Sequence, residues 1–205
     1  MINKIQSWLN SNEKIKRRVH HLLINPVRTR PRAWLRLLMF LYTKRGAGSV
    51  ICSSVRKDIV PFNKFSIGRY SVIESFSTIN NMVGEVKIGE RSRVGIANTI
   101  IGPAEIGNNV MLAQNIVVSG MDHNYINTEI PISLQGVTVS KVVICDDSWI
   151  GANSVITKGI TIGRHSIVAA GSVVKRDVDD FTIVAGNPAK PVKKYNFELS
   201  QWEKI

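Results

Sequence analysis

A period of six residues is the feature of this sequence that most constrains its fold. From Ile67 onward, an aliphatic residue returns at every sixth position in three runs separated by two interruptions. Six is not a helical period, but it is even, so it places the marked side chains on one side of a strand. All fifteen positions hold Ile, Leu or Val: Ile67, Ile73, Ile79; Ile88, Val94, Ile100, Ile106, Leu112, Val118; and Ile144, Ile150, Ile156, Ile162, Val168, Val174.

Small residues accompany this period. Glycine often follows the aliphatic residue directly, and glycine tolerates both unusual backbone angles and close approach of another chain segment. Short strands joined by tight corners therefore fit the pattern, with three strands in each coil of a prism. Stacked coils bury a continuous aliphatic core that one coil cannot bury alone. Ordinary amphipathic strands of a sandwich fit less well, because their turn signals recur about every 8–12 residues.

The length of a coil divides the chain. Residues 67–84 account for one coil, 88–123 for two and 144–179 for two more, and residues 46–66 are predicted to form a further, irregular coil. The inserted segment 124–143 interrupts the repeat as a long loop. Loops that escape the packing constraints of a repeat are where functional groups concentrate.

Most of the positive charge lies near the N-terminus. The formal net charge is +12, and residues 1–45 hold eleven Lys or Arg with Glu13 as their acidic residue. Helices are predicted on both sides of Pro26 and Pro31, the second over 32–44 with leucine and aromatic side chains. Such a segment suits an anionic membrane surface or proximity to a lipid-linked substrate. Alternatively it packs on the main domain with its arginines in water; we expect no nucleic-acid partner.

Composition limits the remaining classes. Two cysteines cannot form a disulfide framework. The longest apolar stretch is far shorter than the roughly 20 residues of a bilayer-spanning helix, and no secretory signal is recognisable. We therefore expect a cytoplasmic protein, at the inner face of the membrane if the basic segment binds lipid. The predicted division is a basic helical segment over 1–45, a mainly β prism over 46–189 and a tail over 190–205.

Two short motifs identify a family. Trp149-Ile150-Gly151 lies in the third run, and Ala185-Gly186-Asn187-Pro188 follows it. Over about residues 67–192, the chain resembles the hexapeptide-repeat acyltransferases, and within them the galactoside, maltose and polysaccharide O-acetyltransferase branch. The resemblance implies a left-handed parallel β-helix and a homotrimer. The handedness comes from the resemblance alone, because parallel crossovers are usually right-handed.

His123 stands directly before the inserted loop and is the predicted catalytic residue. Histidine titrates near neutral pH and suits a general base that removes a proton from an attacking hydroxyl. In similar acetyltransferases the catalytic histidine lies at the position of His123, eight residues after Asn115. The alternative is a hydrogen-bonded loop histidine. The adjacent Asp122 is a candidate to orient it or to touch the acceptor, and the resemblance places Asn98 near the acceptor.

The resemblance also implies acetyl-CoA as the co-substrate. Its pantetheine arm is expected along the small residues Gly151, Ala152 and Ala170, whose backbone amides can bond it. The family contacts the nucleotide end of the donor with basic residues after the last coil, which match Lys175, Arg176 and Lys190 here; the alternative is that these are solvated charges. No Cys/His cluster has the spacing of a metal site, so no metal is expected.

The resemblance implies acetyl transfer to a sugar hydroxyl, at a site in the cleft between neighbouring protomers. No nucleophile elbow is present, so an acyl-enzyme is not expected. The expected acceptor is a sugar of a surface polysaccharide or of its lipid-linked precursor. The alternative keeps the fold and acetylates a small soluble acceptor, such as serine, a free sugar, an antibiotic or a sugar-nucleotide amine. A non-enzymatic scaffold is a further alternative.

Overall fold

The structure, a computed structural model, describes residues 18–19 and 21–205. The chain forms two compact units, of which the first ends at Tyr42 and the second is Thr43–Ile205. The helix predicted before Pro26 lies largely outside the described residues. Within the described part of the chain, no helix has both the length and the hydropathy that a bilayer span requires.

The first unit contains a small hairpin and two short helices. The side chain of Asn25 accepts hydrogen bonds from two backbone N–H groups of the hairpin turn. The single helix predicted over 32–44 is divided at Leu38 and ends early, because Thr43 already belongs to a strand of the second unit. The elements are β1 (Ile24–Asn25), β2 (Arg30–Pro31), α1 (Ala33–Leu37) and α2 (Met39–Tyr42).

The second unit is a parallel β-solenoid of six coils, each of which gives one strand to each of three faces. The first face comprises β3 (Thr43–Arg45), β6 (Phe65–Ile67), β9 (Val86–Ile88), β12 (Ala104–Ile106), β17 (Val142–Ile144) and β20 (Thr161–Ile162). The second face comprises β4 (Val50–Ile51), β7 (Val72–Ile73), β10 (Arg93–Val94), β13 (Met111–Leu112), β18 (Trp149–Ile150), β21 (Ile167–Val168), β23 (Thr182–Gly186), β24 (Ala189–Asn196) and β25 (Gln201–Lys204). The third face comprises β5 (Arg56–Asp58), β8 (Thr78–Asn80), β11 (Thr99–Ile101), β14 (Val117–Ser119), β19 (Val155–Ile156) and β22 (Val173–Val174).

We number the corners of the prism in chain order. The first corner joins the first face to the second, the second corner joins the second face to the third, and the third corner leads into the next coil. The inserted loop leaves from a third corner, between β14 and β17. Its elements are β15 (Met121–His123), a 3₁₀ helix (Ile132–Leu134) and β16 (Val137–Val139), with β15 and β16 antiparallel.

The aliphatic period forms the core, as predicted. Each of the fifteen hexad positions is at most 2% exposed. Strand register stacks them directly: Ile73, Val94, Leu112, Ile150 and Val168 follow one another across the second face. Burial of these side chains in a continuous column supplies the hydrophobic stabilisation that no single coil provides. The predicted left-handed parallel β-helix is confirmed.

Polar contacts between coils explain the small residues. A Cβ at Gly89 would lie 2.4 Å from the carbonyl oxygen of Gly107 in the next coil, so close approach rather than a positive φ requires the glycine. Ser71 and Ser92 are buried, and their hydroxyls donate to carbonyl oxygens of the following coil. Among the described residues, no buried side-chain nitrogen or oxygen lacks a partner. The corners are therefore tightly coupled from coil to coil.

The edges of the solenoid differ from the prediction. The first coil begins at Thr43, two residues before the boundary predicted at residue 45, and its strand β3 pairs with β6. Residues 190–205, predicted as a tail, lie in β24 and β25, which extend the second face antiparallel. Both differences arise because an edge strand gains backbone hydrogen bonds from its neighbour whatever its own hexad pattern.

Candidate active site

The arm that carries His123 begins earlier than the sequence indicates. Gly120 leaves the solenoid close to Pro103, and β15 then pairs with β16, placing His123 opposite Val137. The projecting segment therefore starts before His123, whereas the prediction placed the start at residue 124. His123 stands on a two-stranded arm instead of closing the fourth coil.

The side chain of His123 is exposed. Within the part of the chain that the structure describes, its ring makes no hydrogen bond to protein. The side chain of Asp122 points to the other side of β15, as neighbouring strand residues do. Its carboxylate lies 3.4 Å from Nζ of Lys158 in the fifth coil. Within the described residues, Asp122 is thus paired with Lys158 and makes no hydrogen bond to the ring of His123.

A second ion-pair cluster holds the other end of the arm. Nζ of Lys141 lies 3.1 Å from Glu85 and 3.0 Å from Glu105, and Lys87 also bonds Glu105. Hydrogen bonds from Lys87 and Lys141 lower the pKa of the Glu105 carboxyl, and hydrogen bonds to Glu105 and Glu85 raise the pKa of Lys141. The backbone N–H of Ser140 donates to Gly120 at 2.9 Å. Both roots of the arm are thus fixed to the coils.

Gln135 organises the far end of the loop. Its Nε2 donates to the carbonyl oxygens of Asn127 at 2.6 Å and Ile130 at 3.0 Å, and its Oε1 accepts from the N–H of Asn127. Asn124 donates to the carbonyl oxygen of Gln135. One side chain therefore closes residues 127–135 into a compact turn without help from the solenoid.

The three basic residues predicted for the donor come together. Lys175 and Arg176 follow β22 at a third corner, and Lys190 lies in β24. With Pro188 and Ala189 they line a pocket of about 290 Å³. Three cations around one pocket suit the phosphate groups of a nucleotide.

The small residues predicted for the pantetheine arm occupy the second corner. Gly151 is buried, and it leaves no room for a side chain, because a Cβ there would lie 2.5 Å from the backbone nitrogen of Ala170. The carbonyl oxygen of Ala152 accepts from Gly171. In the described residues, the backbone N–H groups of Ala152 and Ala170 have no hydrogen-bond partner, which leaves two donors free at the surface of this corner.

Asn98 does not face an acceptor, contrary to the prediction. It is fully buried, its Nδ2 donates to Ala113 at 2.8 Å, and its Oδ1 accepts from the N–H of Ile116 at 2.6 Å. Its side chain links two coils, as Ser77 does in the same slot of an earlier coil. A signal for this was available, because Asn98 stands four residues after a core valine, where other repeats carry buried serines.

The predicted site residues therefore form two groups on one protomer. His123 lies at a third corner, and Lys175 and Arg176 follow β22 at another, whereas Gly151, Ala152 and Ala170 lie at the second corner, across the third face. Sequence analysis did not single out Lys158, Lys141 or Gln135, because their partners are five or more residues away and meet them only through the path of the loop. In the described residues, no group of three His, Cys, Asp or Glu side chains is arranged to hold a metal ion.

Comparison with known proteins gives the family. A model of the bacterial transferase hexapeptide (six repeats) matches residues 141–176, and a model of the hexapeptide repeat of succinyl-transferase matches residues 85–119. A protein of Mycobacterium tuberculosis described as a probable acetyltransferase is 34% identical over 143 residues, 68% of this chain and 46% of that protein. The solenoid therefore carries the hexapeptide repeat of bacterial transferases.

Two further similar proteins are named for different kinds of acyl transfer. WbbJ of Escherichia coli, named for O-acetyl transfer in lipopolysaccharide biosynthesis, is 34% identical over 108 residues, 48% of this chain and 54% of WbbJ. A mutant of AntD, an N-acyltransferase from Bacillus cereus solved with dTDP-4-amino-4,6-dideoxyglucose and coenzyme A, superposes with a TM-score of 0.67 at 23% identity. The superposition covers 80% of this chain and 91% of AntD, and it shows a shared fold. The chain spans about half the length of the Mycobacterium tuberculosis protein and of WbbJ.

Proposed function

We propose that this protein transfers an acetyl group from acetyl-CoA to a hydroxyl group of a sugar. The observation that carries the proposal is the exposed imidazole of His123 on an arm anchored at both roots. A histidine side chain can act as a general base that takes the proton of an attacking hydroxyl. The pocket of Lys175, Arg176 and Lys190 supports a phosphorylated donor such as acetyl-CoA.

The reaction follows from these groups. Neutral His123 takes the proton of the acceptor hydroxyl while that oxygen attacks the thioester carbonyl carbon. The tetrahedral intermediate then expels the coenzyme A sulfur, which receives the proton from the imidazolium as the C–S bond breaks. The products are the acetyl ester and free coenzyme A, and the base is regenerated without an acyl-enzyme.

The donor is proposed to lie between two protomers of a homotrimer. The phosphates bind Lys175, Arg176 and Lys190, and the amide oxygens of the pantetheine arm accept from the N–H groups of Ala152 and Ala170. A corner of one protomer would face the corner of the next, which would unite groups that one prism keeps apart. Asp122 and Asn98 are not needed for this arrangement.

The acceptor is proposed to be a sugar of a surface polysaccharide or of its lipid-linked precursor. The likeness to WbbJ supports this class. The fold is shared with an N-acyltransferase, so the alternative of a small soluble acceptor, including a sugar-nucleotide amine, is retained. The acceptor is tested by incubation with labelled acetyl-CoA and a panel of glycans, free sugars, serine and amino sugars. Transfer to amines with no ester product would overturn the O-acetyl proposal.

The N-terminal unit is proposed to bind an anionic membrane surface. Residues 14–57 contain no Asp or Glu, while Leu37 and Phe40 are 76% and 73% exposed beside Arg36. Apolar and basic side chains together suit a negatively charged leaflet. In a co-sedimentation assay with phosphatidylserine vesicles, the pair Arg36→Glu and Phe40→Asp should release the full chain, whereas Lys204→Glu should not. Equal binding by all three proteins would refute the proposal.

A further inference from the structure

The two-stranded arm that carries His123 has little stability of its own. Its strands β15 and β16 are joined by three residue pairs, Met121 with Val139, Asp122 with Thr138 and His123 with Val137. An isolated two-stranded ribbon is at best marginally stable in water. The position of the His123 ring therefore depends on the contacts that hold the arm against the solenoid.

The third corner of the fifth coil lies against the arm. The backbone N–H of Gly159 donates to the carbonyl oxygen of Ser140 at 3.1 Å, and a Cβ at Gly159 would lie 2.8 Å from Oγ of Ser140. On the other side of the corner, Oγ1 of Thr157 donates to the carbonyl oxygen of Val174 in the sixth coil at 3.0 Å. Lys158 stands between these two bonded residues, so its backbone is fixed on both sides.

The side chain of Lys158 extends from this corner to the strand that carries the histidine. Its Nζ lies 3.4 Å from Oδ2 of Asp122, and the two side chains are 30% and 54% exposed. Because neighbouring residues of a strand project to opposite sides, this contact holds β15 from one side and leaves His123 open on the other. Ion pairs as exposed as this one contribute little to the free energy of folding. The pair therefore affects where the arm stands more than whether the solenoid folds.

The two strands of the arm are not held equally. At the β16 end, Lys141 bonds both Glu85 and Glu105, and Ser140 is hydrogen-bonded to Gly120 as well as to Gly159. Among the described residues, β15 has a single ion pair to the coils, that of Asp122 with Lys158. Loss of the Lys158 charge would therefore loosen the histidine strand and leave the other attachment in place.

We propose that Lys158 is a positioning residue for acetyl transfer, which fixes β15 through Asp122 so that the His123 imidazole is held at the acceptor hydroxyl. This inference rests on the proposed function and adds a residue of the fifth coil to it. Lys158 itself touches neither the donor nor the acceptor. Its loss should therefore lower turnover and leave donor binding unchanged, since misplacement of a reacting group by about 1 Å can cost about 100-fold in rate.

The first test follows the arm without using activity. Hydrogen exchange is measured by mass spectrometry on the full chain for the wild type, for Lys158→Met and for the swapped pair Asp122→Lys/Lys158→Asp. The matched control is Arg69→Met, which breaks an exposed ion pair with Glu90 at the first corner. Exchange in residues 121–123 should be faster in Lys158→Met and should return to the wild-type rate in the swapped pair and the control. Unchanged exchange in Lys158→Met would overturn the proposal.

The second test measures turnover with the acceptor of the panel that the wild type acetylates fastest. Lys158→Met should lower kcat by about 10- to 100-fold with the KM for acetyl-CoA and the unfolding midpoint unchanged, and the swapped pair should recover most of the loss. A kcat within about twofold of the wild type, or a loss that the swapped pair does not recover, contradicts the positioning role.

A double-mutant cycle shows whether Lys158 acts through the histidine. In the background of His123→Ala, Lys158→Met should lower the residual rate no further, because the group that it positions is already absent. An additional loss equal to that in the wild-type background would show that Lys158 acts on something other than His123, which also overturns the proposal.

The outcomes separate this inference from the proposed function. A wild type that acetylates no acceptor contradicts the proposed function, and the exchange measurement still decides whether Lys158 holds the arm. An active acetyltransferase whose turnover is normal in Lys158→Met contradicts only the positioning role.

Discussion

His123 is the residue on which the proposed chemistry depends. Its ring is exposed and makes no hydrogen bond within the described residues. Replacement of His123 therefore removes the proposed base and breaks no side-chain hydrogen bond among them. We expect His123→Ala to lower kcat by about 10²- to 10⁴-fold, the usual contribution of a general base. Calorimetric binding of acetyl-CoA should be unchanged. A kcat within tenfold of the wild type would remove His123 from the mechanism.

Lys190 contributes a positive charge to the donor pocket. If it binds a phosphate group of the donor in the ground state and the transition state alike, Lys190→Ala should raise the KM for acetyl-CoA roughly tenfold with kcat little changed. Lys204→Ala, an exposed lysine in β25, is the matched control. Steady-state kinetics with varied acetyl-CoA checks this. An unchanged KM would show that Lys190 does not bind the donor and is a solvent-exposed charge.

Asp146 shows how a single side chain joins two coils. Its carboxylate accepts from the backbone N–H of Asn108 at 2.7 Å and from the Asn108 amide at 3.1 Å, and these bonds lower the pKa of Asp146. Asp146→Ala should destabilise the protein by about 1–3 kcal/mol at pH 7. The carboxylate binds protons less readily when folded, so its contribution is full above about pH 4 and is lost as the pH falls through the lowered pKa. Urea unfolding at pH 7 and pH 3 should show the two proteins converging in acid.

At the scale of elements, the solenoid and the loop are stabilised by different means. Coils hold each other through a shared aliphatic column and through serine, asparagine and aspartate bonds to the next coil. The arm depends instead on ion pairs at its roots, Asp122 with Lys158 and Lys141 with Glu85 and Glu105. The loop can therefore change without loss of the solenoid.

Gln135 offers a direct test of that independence. Gln135→Ala removes three hydrogen bonds inside the loop and none to the coils. We expect residues 125–134 to become more sensitive to limited proteolysis and faster in hydrogen exchange, with the unfolding midpoint of the solenoid unchanged. Gln114→Ala is the control, because Gln114 is exposed at a corner. Unchanged protection of the loop would show that Gln135 does not organise it.

At the scale of the whole molecule, the candidate site is divided between two corners of the prism. This division predicts complementation between two inactive variants. His123→Ala and Ala170→Tyr, the second chosen to block the donor corner, are co-expressed with different tags and purified through both. In the proposed ring of three, about one site in three then pairs an intact histidine with an intact corner. The mixed trimer should recover about a third of the wild-type rate, whereas a site within one chain would recover nothing.

The sequence by itself determined the solenoid. The hexad of aliphatic residues predicts short strands, three-sided coils and the buried column, because spacing along the chain decides which side chains share an interior. It also indicated where the repeat is interrupted and which residue types gather there. The same pattern predicts that Asn98 is buried, because it stands four residues after a core aliphatic residue, at the position where other repeats have buried serines.

Only the tertiary structure decided how distant residues meet. Lys190 meets Lys175 and Arg176 because the turn from β23 to β24 brings it back to them. Asp122 lies close to Lys158 because β15 leaves the solenoid before residue 124. Thr43 and the residues of β24 and β25 join the sheets although they do not follow the six-residue period. An extended backbone at the edge of a sheet can form hydrogen bonds with the neighbouring strand whatever its side chains. Such contacts depend on chain path and strand register, which a local pattern does not specify.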